Sequence, residues 1–155
     1  MPYDIEQLTS INDDMVLDAP AIETILPEFM EFCRDAVMVA HNADFDMSFI
    51  KQNCNNLNLP CEKTVIDTVA LSRVLLPSLN RFKLDTVAKA LNVSLAHHHR
   101  AVDDAGCTAE IFVKLVEMLH ERGIDTLEQL NDMEQSSPET IRKLPTYHAI
   151  MPGSE

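Results

Sequence analysis

The chain has 155 residues, of which 46% are hydrophobic and 24% are charged, and its formal net charge is -13. This length and composition fit a globular domain with one sizeable core and exclude a disordered or fibrous chain. No apolar run approaches the roughly 20 residues that cross a bilayer, no signal-peptide pattern opens the chain, and the cysteines form no C-x-x-C pair. We therefore expect a cytoplasmic protein with reduced thiols and no membrane partner.

Hydrophobic periodicity predicts two helices and a buried strand in the first part of the chain. Apolar residues at helical spacing predict an amphipathic helix over about Ala19–Arg34, and the Val-rich run AVMVAH predicts a strand that ends near His41. Helical spacing that includes Phe45 and Phe49 predicts the next helix, which ends before Pro60.

The remainder of the chain is predicted to be mostly helical. A second short strand, about Thr64–Asp67, leads into a helix that ends before Pro77, and LDTVAKALNV forms a compact helix. The histidine stretch is a loop, and a long helix follows over about Val102–Arg122. Residues 1–134 then form the domain, and residues 135–155, which are polar and contain prolines, form a linker or tail.

The alternation of strand and helix predicts an α/β fold whose neighbouring strands are parallel. Two buried strands without companions make a poor sheet. We therefore expect an incomplete sheet flanked by helices. Its remaining strands would come from another chain or from a beginning that this sequence lacks.

Asp46 is the first candidate functional residue, because it lies five residues past the predicted strand end, in the first turns of a helix. The carboxyl ends of strands are where α/β sheets usually place functional groups. With Phe49 and Ile50 at i+3 and i+4, we expect Asp46 to lie beside the apolar face, partly buried, and to need a partner or a metal. A helix-capping role explains the same position equally well.

The stretch HHHRAVDDAG, residues 97–106, combines three histidines with two adjacent aspartates. Asp104 continues along a helix stripe that becomes apolar and so faces inward, whereas Asp103 continues along a mostly charged stripe and faces water. His99 has a pKa range suited to taking a proton from water near neutral pH. A zinc, nickel or copper site formed by the histidines is the alternative, although consecutive side chains rarely converge on one ion.

Two inward carboxylates on separate helices, Asp46 and Asp104, suit hard cations such as Mg²⁺ or Mn²⁺, which take oxygen ligands. With a pair of such ions, one activates water and the other stabilises the leaving oxygen of a phosphodiester. Two carboxylates are too few ligands for two divalent cations, so we expect a metal site that lacks some of its ligands. Residues 68–100 carry five basic residues and one acid, which leaves a net charge of -17 elsewhere and weakens the objection that an acidic chain avoids DNA.

Two segments resemble motifs of the DEDDh (DnaQ-like) 3'-5' exonuclease family: VAHNADFD resembles its second motif, and HHRAVDDA its third. VIDTVALSRVLLP and FKLDTVAKALNV are also similar to that family, most of all to the proofreading domains of PolC-type replicative polymerases. The resemblance implies a ribonuclease H-like α/β fold with a mixed sheet. It also implies Mg²⁺ or Mn²⁺ as cofactor and the removal of nucleotides from DNA 3' ends during replication.

The resemblance implies roles for five residues by their position in the motifs. The metal ligands would be Asp46 and Asp104, and the general base that activates water would be His99. The neighbours of the terminal nucleotide would be Asn42 and Phe45. The partners would be a single-stranded or mismatched DNA 3' end and the remainder of the polymerase chain.

The family's first motif, D-x-E on the first strand, has no good match. Asp4 and Glu6 have the right spacing, but no apolar strand surrounds them, and we reject them as ligands. We therefore expect a chain that lacks the first motif and three strands and that is weakly active or inactive alone. The alternative is a non-catalytic exonuclease-like module that binds DNA or polymerase parts.

Overall fold

The computed structural model describes residues 1–95, 100–136 and 150–151 of the chain. Every helix and strand predicted from periodicity is confirmed, with bounds within a few residues of those expected. In chain order the elements are α1 (Tyr3–Thr9), α2 (Asp13–Val16), α3 (Ile22–Phe32), β1 (Met38–Ala40), α4 (Ala43–Asn56), β2 (Val65–Asp67), α5 (Thr68–Leu75), α6 (Leu84–Ala90), α7 (Ala101–Glu121), α8 (Leu127–Ser136) and β3 (Ile150–Met151).

The sheet is mixed, as the resemblance implies. β1 and β2 pair in parallel, with Met38 opposite Val65, and β3 joins β2 in the antiparallel direction, with Ile150 opposite Ile66. The strand order β1-β2-β3 leaves β1 at one edge of the sheet in the described ranges. The sequence pattern does not predict β3, because two residues in a polar, Pro-containing segment show no periodicity.

The main core lies where α7 packs against α5, α6 and β1. The buried side chains of α7 include the apolar stripe that was expected to continue from Asp104, and this part of the prediction is confirmed. They are Cys107, Thr108, Ile111, Leu115 and Leu119. A second, smaller cluster fixes α4 on the sheet through Ala43, Met47 and Val65. All four cysteines are free thiols, as expected.

α3 is amphipathic as predicted, but the described residues cover little of its apolar face. Leu26 is buried, whereas Ile22, Ile25, Phe29 and Phe32 are exposed. The described ranges contain no helix with the length and apolar character that crossing a membrane requires.

Candidate active site

The two parallel strands end side by side, and the candidate residues follow from those ends. β1 ends at Ala40, and His41 and Asn42 lead directly into α4. β2 ends at Asp67, whose side chain also caps α5. Because the carboxyl ends of parallel strands meet at the same edge of a sheet, these two connections lie together.

Asp67 is the central acid of this edge, and its side chain is fully buried, with 0% exposure. Its Oδ1 accepts hydrogen bonds from the backbone N–H groups of Asn42 (3.1 Å) and Val69 (2.8 Å), and its Oδ2 accepts one from Ala43 (3.2 Å). Burial raises the pKa of Asp67, and these three hydrogen bonds and the nearby His41 oppose that rise. Asp67 therefore binds the start of α4 to the end of β2.

Sequence reasoning missed this role of Asp67, which it treated as a strand end. One signal was available, because an aspartate between an apolar strand and a helix is a favourable N-cap. The contact with the start of α4 spans 25 residues of sequence and follows from no local pattern.

His41 extends the same hydrogen-bonded network to the segment before α6. Its Nε2 lies 2.8 Å from the carbonyl oxygen of Phe82, and its Nδ1 lies 2.9 Å from Oγ1 of Thr68. Burial lowers the pKa of His41, which favours the neutral ring. Since a carbonyl oxygen only accepts, Nε2 carries the proton and donates to the carbonyl oxygen of Phe82, which leaves Nδ1 of the neutral ring as an acceptor. The hydroxyl of Thr68 has two acceptors within reach, Nδ1 of His41 at 2.9 Å and the carbonyl oxygen of Ala40 at 3.3 Å.

Asn42 has a left-handed backbone, with φ 70° and ψ 55°. After glycine, asparagine is among the residues that adopt this conformation most readily. The conformation turns the chain sharply from β1 into α4, and the N–H of Asn42 donates to Asp67 at the turn. Asn42, a predicted substrate neighbour, is therefore also a structural residue of the turn.

The aromatic residues of α4 lie on its exposed face, which corrects the packing expected from their spacing. Phe45 and Phe49 are 62% and 55% exposed, and their rings meet edge to face with centroids 5.2 Å apart. The buried face of α4 consists of the smaller or more flexible residues Ala43, Met47 and Cys54. Ala43 and Met47 pack with Val65 of β2.

Asp46 also lies on the exposed side of α4, next to Phe45 and Phe49. The prediction that both Phe49 and Ile50 face inward beside Asp46 is wrong for Phe49, which is exposed, whereas Ile50 is half-buried. Capping of α4 was the alternative role for Asp46, and part of that capping is supplied by Asp67, which accepts the N–H of Ala43. Partial desolvation still raises the pKa of the Asp46 carboxyl, and its own backbone N–H opposes this rise. No salt bridge involves Asp46 within the described residues.

Asp104 lies in the first turn of α7, where its backbone N–H donates to the carbonyl of Arg100 (2.9 Å). The hydroxyl of Thr108 donates to the carbonyl of Asp104 (2.8 Å), and this bond continues toward the buried stripe. Asp103 and Asp104 are both half-buried, so exposure alone does not separate them, and Asp103 faces water less than expected. His99 lies outside the described residues with His97 and His98, and its role remains a prediction.

The rejected first-motif pair lies in a helix. Asp4 and Glu6 are in α1, not on a strand, and Asp4 is exposed. Nowhere in the described ranges do three or more His, Cys, Asp or Glu side chains come close enough to hold a metal ion. Asp46 and Asp104 have the oxygen donors that Mg²⁺ or Mn²⁺ prefers, but two carboxylates fall short of a complete ligand set.

The family comparison matches residues 1–112 of the chain to the exonuclease family, RNase_T. Among curated proteins, the chain is similar to the PolC-type DNA polymerase III of Caldanaerobacter subterraneus subsp. tengcongensis, with 51% identity over 147 residues and 95% of this chain. It is also similar to the PolC-type DNA polymerase III of Clostridium perfringens, with 45% identity over 152 residues and 97% of this chain. The chain spans 10% of the length of each of these relatives.

One solved structure with a similar fold is Exonuclease X in complex with 5' overhanging duplex DNA. It matches with a TM-score of 0.53 and 29% sequence identity, over 83% of this chain and 70% of that chain. The likeness confirms the expected α/β exonuclease fold and agrees with the family match.

Proposed function

The chain belongs to the exonuclease family, and from that premise we propose that it is the proofreading 3'-5' exonuclease part of a PolC-type replicative DNA polymerase. One observation supports a nuclease site most directly. Asp67 holds the start of α4 against the end of β2, so that Asp46 and the exposed rings of Phe45 and Phe49 project together from one helix face. A carboxylate beside exposed aromatic rings suits a metal ligand next to a stacked base.

In this proposal the DNA 3' end approaches the exposed face of α4. Phe45 stacks on the terminal base, and Asn42 lies beside the terminal nucleotide. Base stacking on aromatic side chains tolerates any sequence, as an enzyme that removes any mispaired nucleotide requires. Asp46 and Asp104 would hold a divalent cation, Mg²⁺ or Mn²⁺, which when bound stabilises the negative charge that develops on the phosphate.

The reaction is hydrolysis of the last phosphodiester bond. His99 takes a proton from a water molecule, and the water oxygen attacks the phosphorus atom as the bond from phosphorus to the 3' oxygen of the preceding nucleotide breaks. The products are a nucleoside 5'-monophosphate and a DNA strand one nucleotide shorter, with a free 3' hydroxyl. Asp103 takes no part in this scheme.

The remaining cation ligands come, in this proposal, from a polymerase segment that pairs with β1. β1 is an edge of the described sheet, and its unpaired backbone groups can accept another strand. The exposed apolar residues of α3 give such a segment a surface to cover. The chain alone is then weakly active or inactive, whereas the whole polymerase is active.

A labelled-primer assay tests this function. The full polymerase and the 155-residue chain are each given 3'-labelled single-stranded and mismatched primer DNA with Mg²⁺ or Mn²⁺. The polymerase should release labelled mononucleotide, and Asp46→Asn or Asp104→Asn in it should lower the rate by about 100-fold or more, because each variant weakens the binding of the cation. Asp44→Asn is the matched control, because Asp44 is an exposed acid in the same turn of α4.

Three results contradict the proposal in different ways. Equal rates for Asp46→Asn and Asp44→Asn would remove Asp46 from the site. Robust cleavage by the chain alone, abolished by Asp104→Ala, would show that no outside ligand is needed. DNA binding without cleavage by the full polymerase would favour the non-catalytic binding module.

A further inference from the structure

The segment before α6 presents two positive charges on a strongly acidic protein. Arg81 and Lys83 are both exposed, and they flank Phe82, which is half-buried and packs against the main core. Neither cation forms a salt bridge with any residue in the described ranges. The nearest acid along the chain, Asp85, is engaged locally by the N–H of Thr86 at 2.8 Å.

Two contacts hold this segment in place. The carbonyl of Phe82 accepts the hydrogen bond of His41 Nε2 at 2.8 Å, and the guanidinium of Arg73 lies over the Phe82 ring, 5.0 Å from its centroid. Both sides of Phe82, backbone and ring, are therefore fixed. The exposed side chains of Arg81 and Lys83 extend from a fixed backbone and not from a loose loop.

The anchor places these charges beside the candidate site. His41 is bonded to Phe82 and directly precedes Asn42, where the chain turns into α4. α4 itself brings two acids to its first turn, Asp44 and Asp46, which repel a phosphate backbone. Arg81 and Lys83 carry the opposite charge on either side of Phe82, whose carbonyl is bonded to His41 at that turn.

We propose that Arg81 and Lys83 bind backbone phosphates of the single DNA strand whose 3' end enters the site, and that His41 is the positioning residue that holds them there. The inference rests on the proposed function and adds the strand contact that it lacks. Proteins that bind single strands without sequence preference combine aromatic stacking with cations that follow the backbone. Phe45 with Phe49 provides the first element, and Arg81 with Lys83 provides the second.

Fluorescence anisotropy with a 5'-fluorescein-labelled 12-nucleotide oligo-dT strand tests the phosphate contacts. The full 155-residue chain is used in EDTA, so that binding is measured without cleavage. The double variant Arg81→Gln/Lys83→Gln should bind roughly 5- to 10-fold more weakly at low salt. Its slope of log affinity against log salt should be shallower by about 1.4, the value for two lost phosphate contacts on a single strand.

Lys89→Gln is the matched control, because Lys89 is an exposed cation at the far end of α6. It should weaken binding much less than the double variant does. Equal affinity and slope for the double variant and the control would overturn the proposal, as would the absence of salt-dependent binding by the wild-type chain. Strong binding through Arg81 and Lys83 without nuclease activity in the polymerase would refute only the proposed function.

The positioning role of His41 needs two further variants. His41→Leu removes the donor to the Phe82 carbonyl, and it should reduce both affinity and salt slope toward those of the double variant. His41→Gln retains an N–H donor and should restore most of both. Leu and Gln variants that bind equally well, with circular dichroism showing both folded, would remove His41 from the proposal while leaving the phosphate contacts to their own test.

Discussion

Asp67 ends one strand of the parallel pair and Asp46 follows the other, yet their environments are opposite. Asp67 is completely buried, and its two oxygens accept three backbone N–H groups. Asp46 is exposed and lies beside two exposed phenylalanines. Position at the carboxyl end of a strand therefore does not identify a functional acid. The two acids differ in their backbone partners: N–H groups of three other residues bond to Asp67, whereas the backbone hydrogen bond of Asp46 comes from its own N–H.

The same contrast divides the two faces of α4. Ala43 and Met47 are buried against the sheet, whereas Phe45 and Phe49 are exposed. In most helices the largest apolar residues face the core, because they bury the most surface. Here the larger rings face solvent, in agreement with the stacking role proposed for Phe45.

The largest expected effect comes from replacing the buried acid, Asp67, and it is on the stability of the fold. Asp67→Ala leaves the N–H groups of Asn42, Ala43 and Val69 without their acceptor. Each buried, unsatisfied group costs about 1–3 kcal/mol, so we expect the free energy of unfolding to fall by about 3 kcal/mol or more. Urea unfolding followed by circular dichroism measures it. Asp46→Ala is the control, with an expected change within about 0.5 kcal/mol. Equal losses in the two variants would contradict the assignment.

A second pair of variants compares the two faces of α4. Met47→Ala opens a cavity under the helix and should lower the free energy of unfolding by about 2–3 kcal/mol. Phe45→Ala should change it by no more than about 0.5 kcal/mol, because the ring is exposed. In the oligo-dT binding assay, Phe45→Ala should have the larger effect of the two variants, because loss of the ring removes a stacking contact worth about 1 kcal/mol or more. Unchanged DNA binding by Phe45→Ala would show that the exposed rings serve another ligand.

The smallest expected effect concerns pH. Burial lowers the pKa of His41 below its ordinary value of 6.5, so the unfolded chain binds a proton at this residue more readily than the folded chain. The stability that the folded chain gains from a neutral His41 is fully present above pH 6.5. It is lost as the pH falls through that value toward the lower pKa of the folded chain. Wild-type stability should therefore drop between pH 7 and pH 5.5 more steeply than that of His41→Gln. Parallel curves for the two proteins would show that His41 is not held neutral.

The sequence predicts the elements better than it predicts their surroundings. The bounds of β1, α4, β2 and α7 follow from local periodicity, and the inward stripe of α7 follows from its phase. Periodicity did not show that α4 turns its phenylalanines outward, because the largest apolar residues were expected to face the core, whereas Ala43, Met47 and Cys54 are the buried ones. Periodicity also does not predict contacts between residues far apart in sequence, such as the hydrogen bond between His41 and Phe82.

For the candidate site, the sequence placed Asp46 and Asp104 in the first turns of two helices, which the structure confirms. It placed Asp46 beside an inward apolar face, whereas the structure leaves both Asp46 and Phe49 exposed. The role of Asp67 was not predicted, because the sequence alone does not show which distant backbone N–H groups donate hydrogen bonds to a carboxylate.

The left-handed backbone at Asn42 limits mutational tolerance before any contact with DNA is considered. With φ at 70°, glycine is the residue that fits without steric cost, aspartate is the next most compatible, and β-branched residues fit worst. Loss of function after most exchanges at position 42 would therefore report the geometry of the turn. Variation at this position among related chains should be narrow for a reason that lies in the main chain, and a narrow choice of residues there is not by itself a sign of substrate contact.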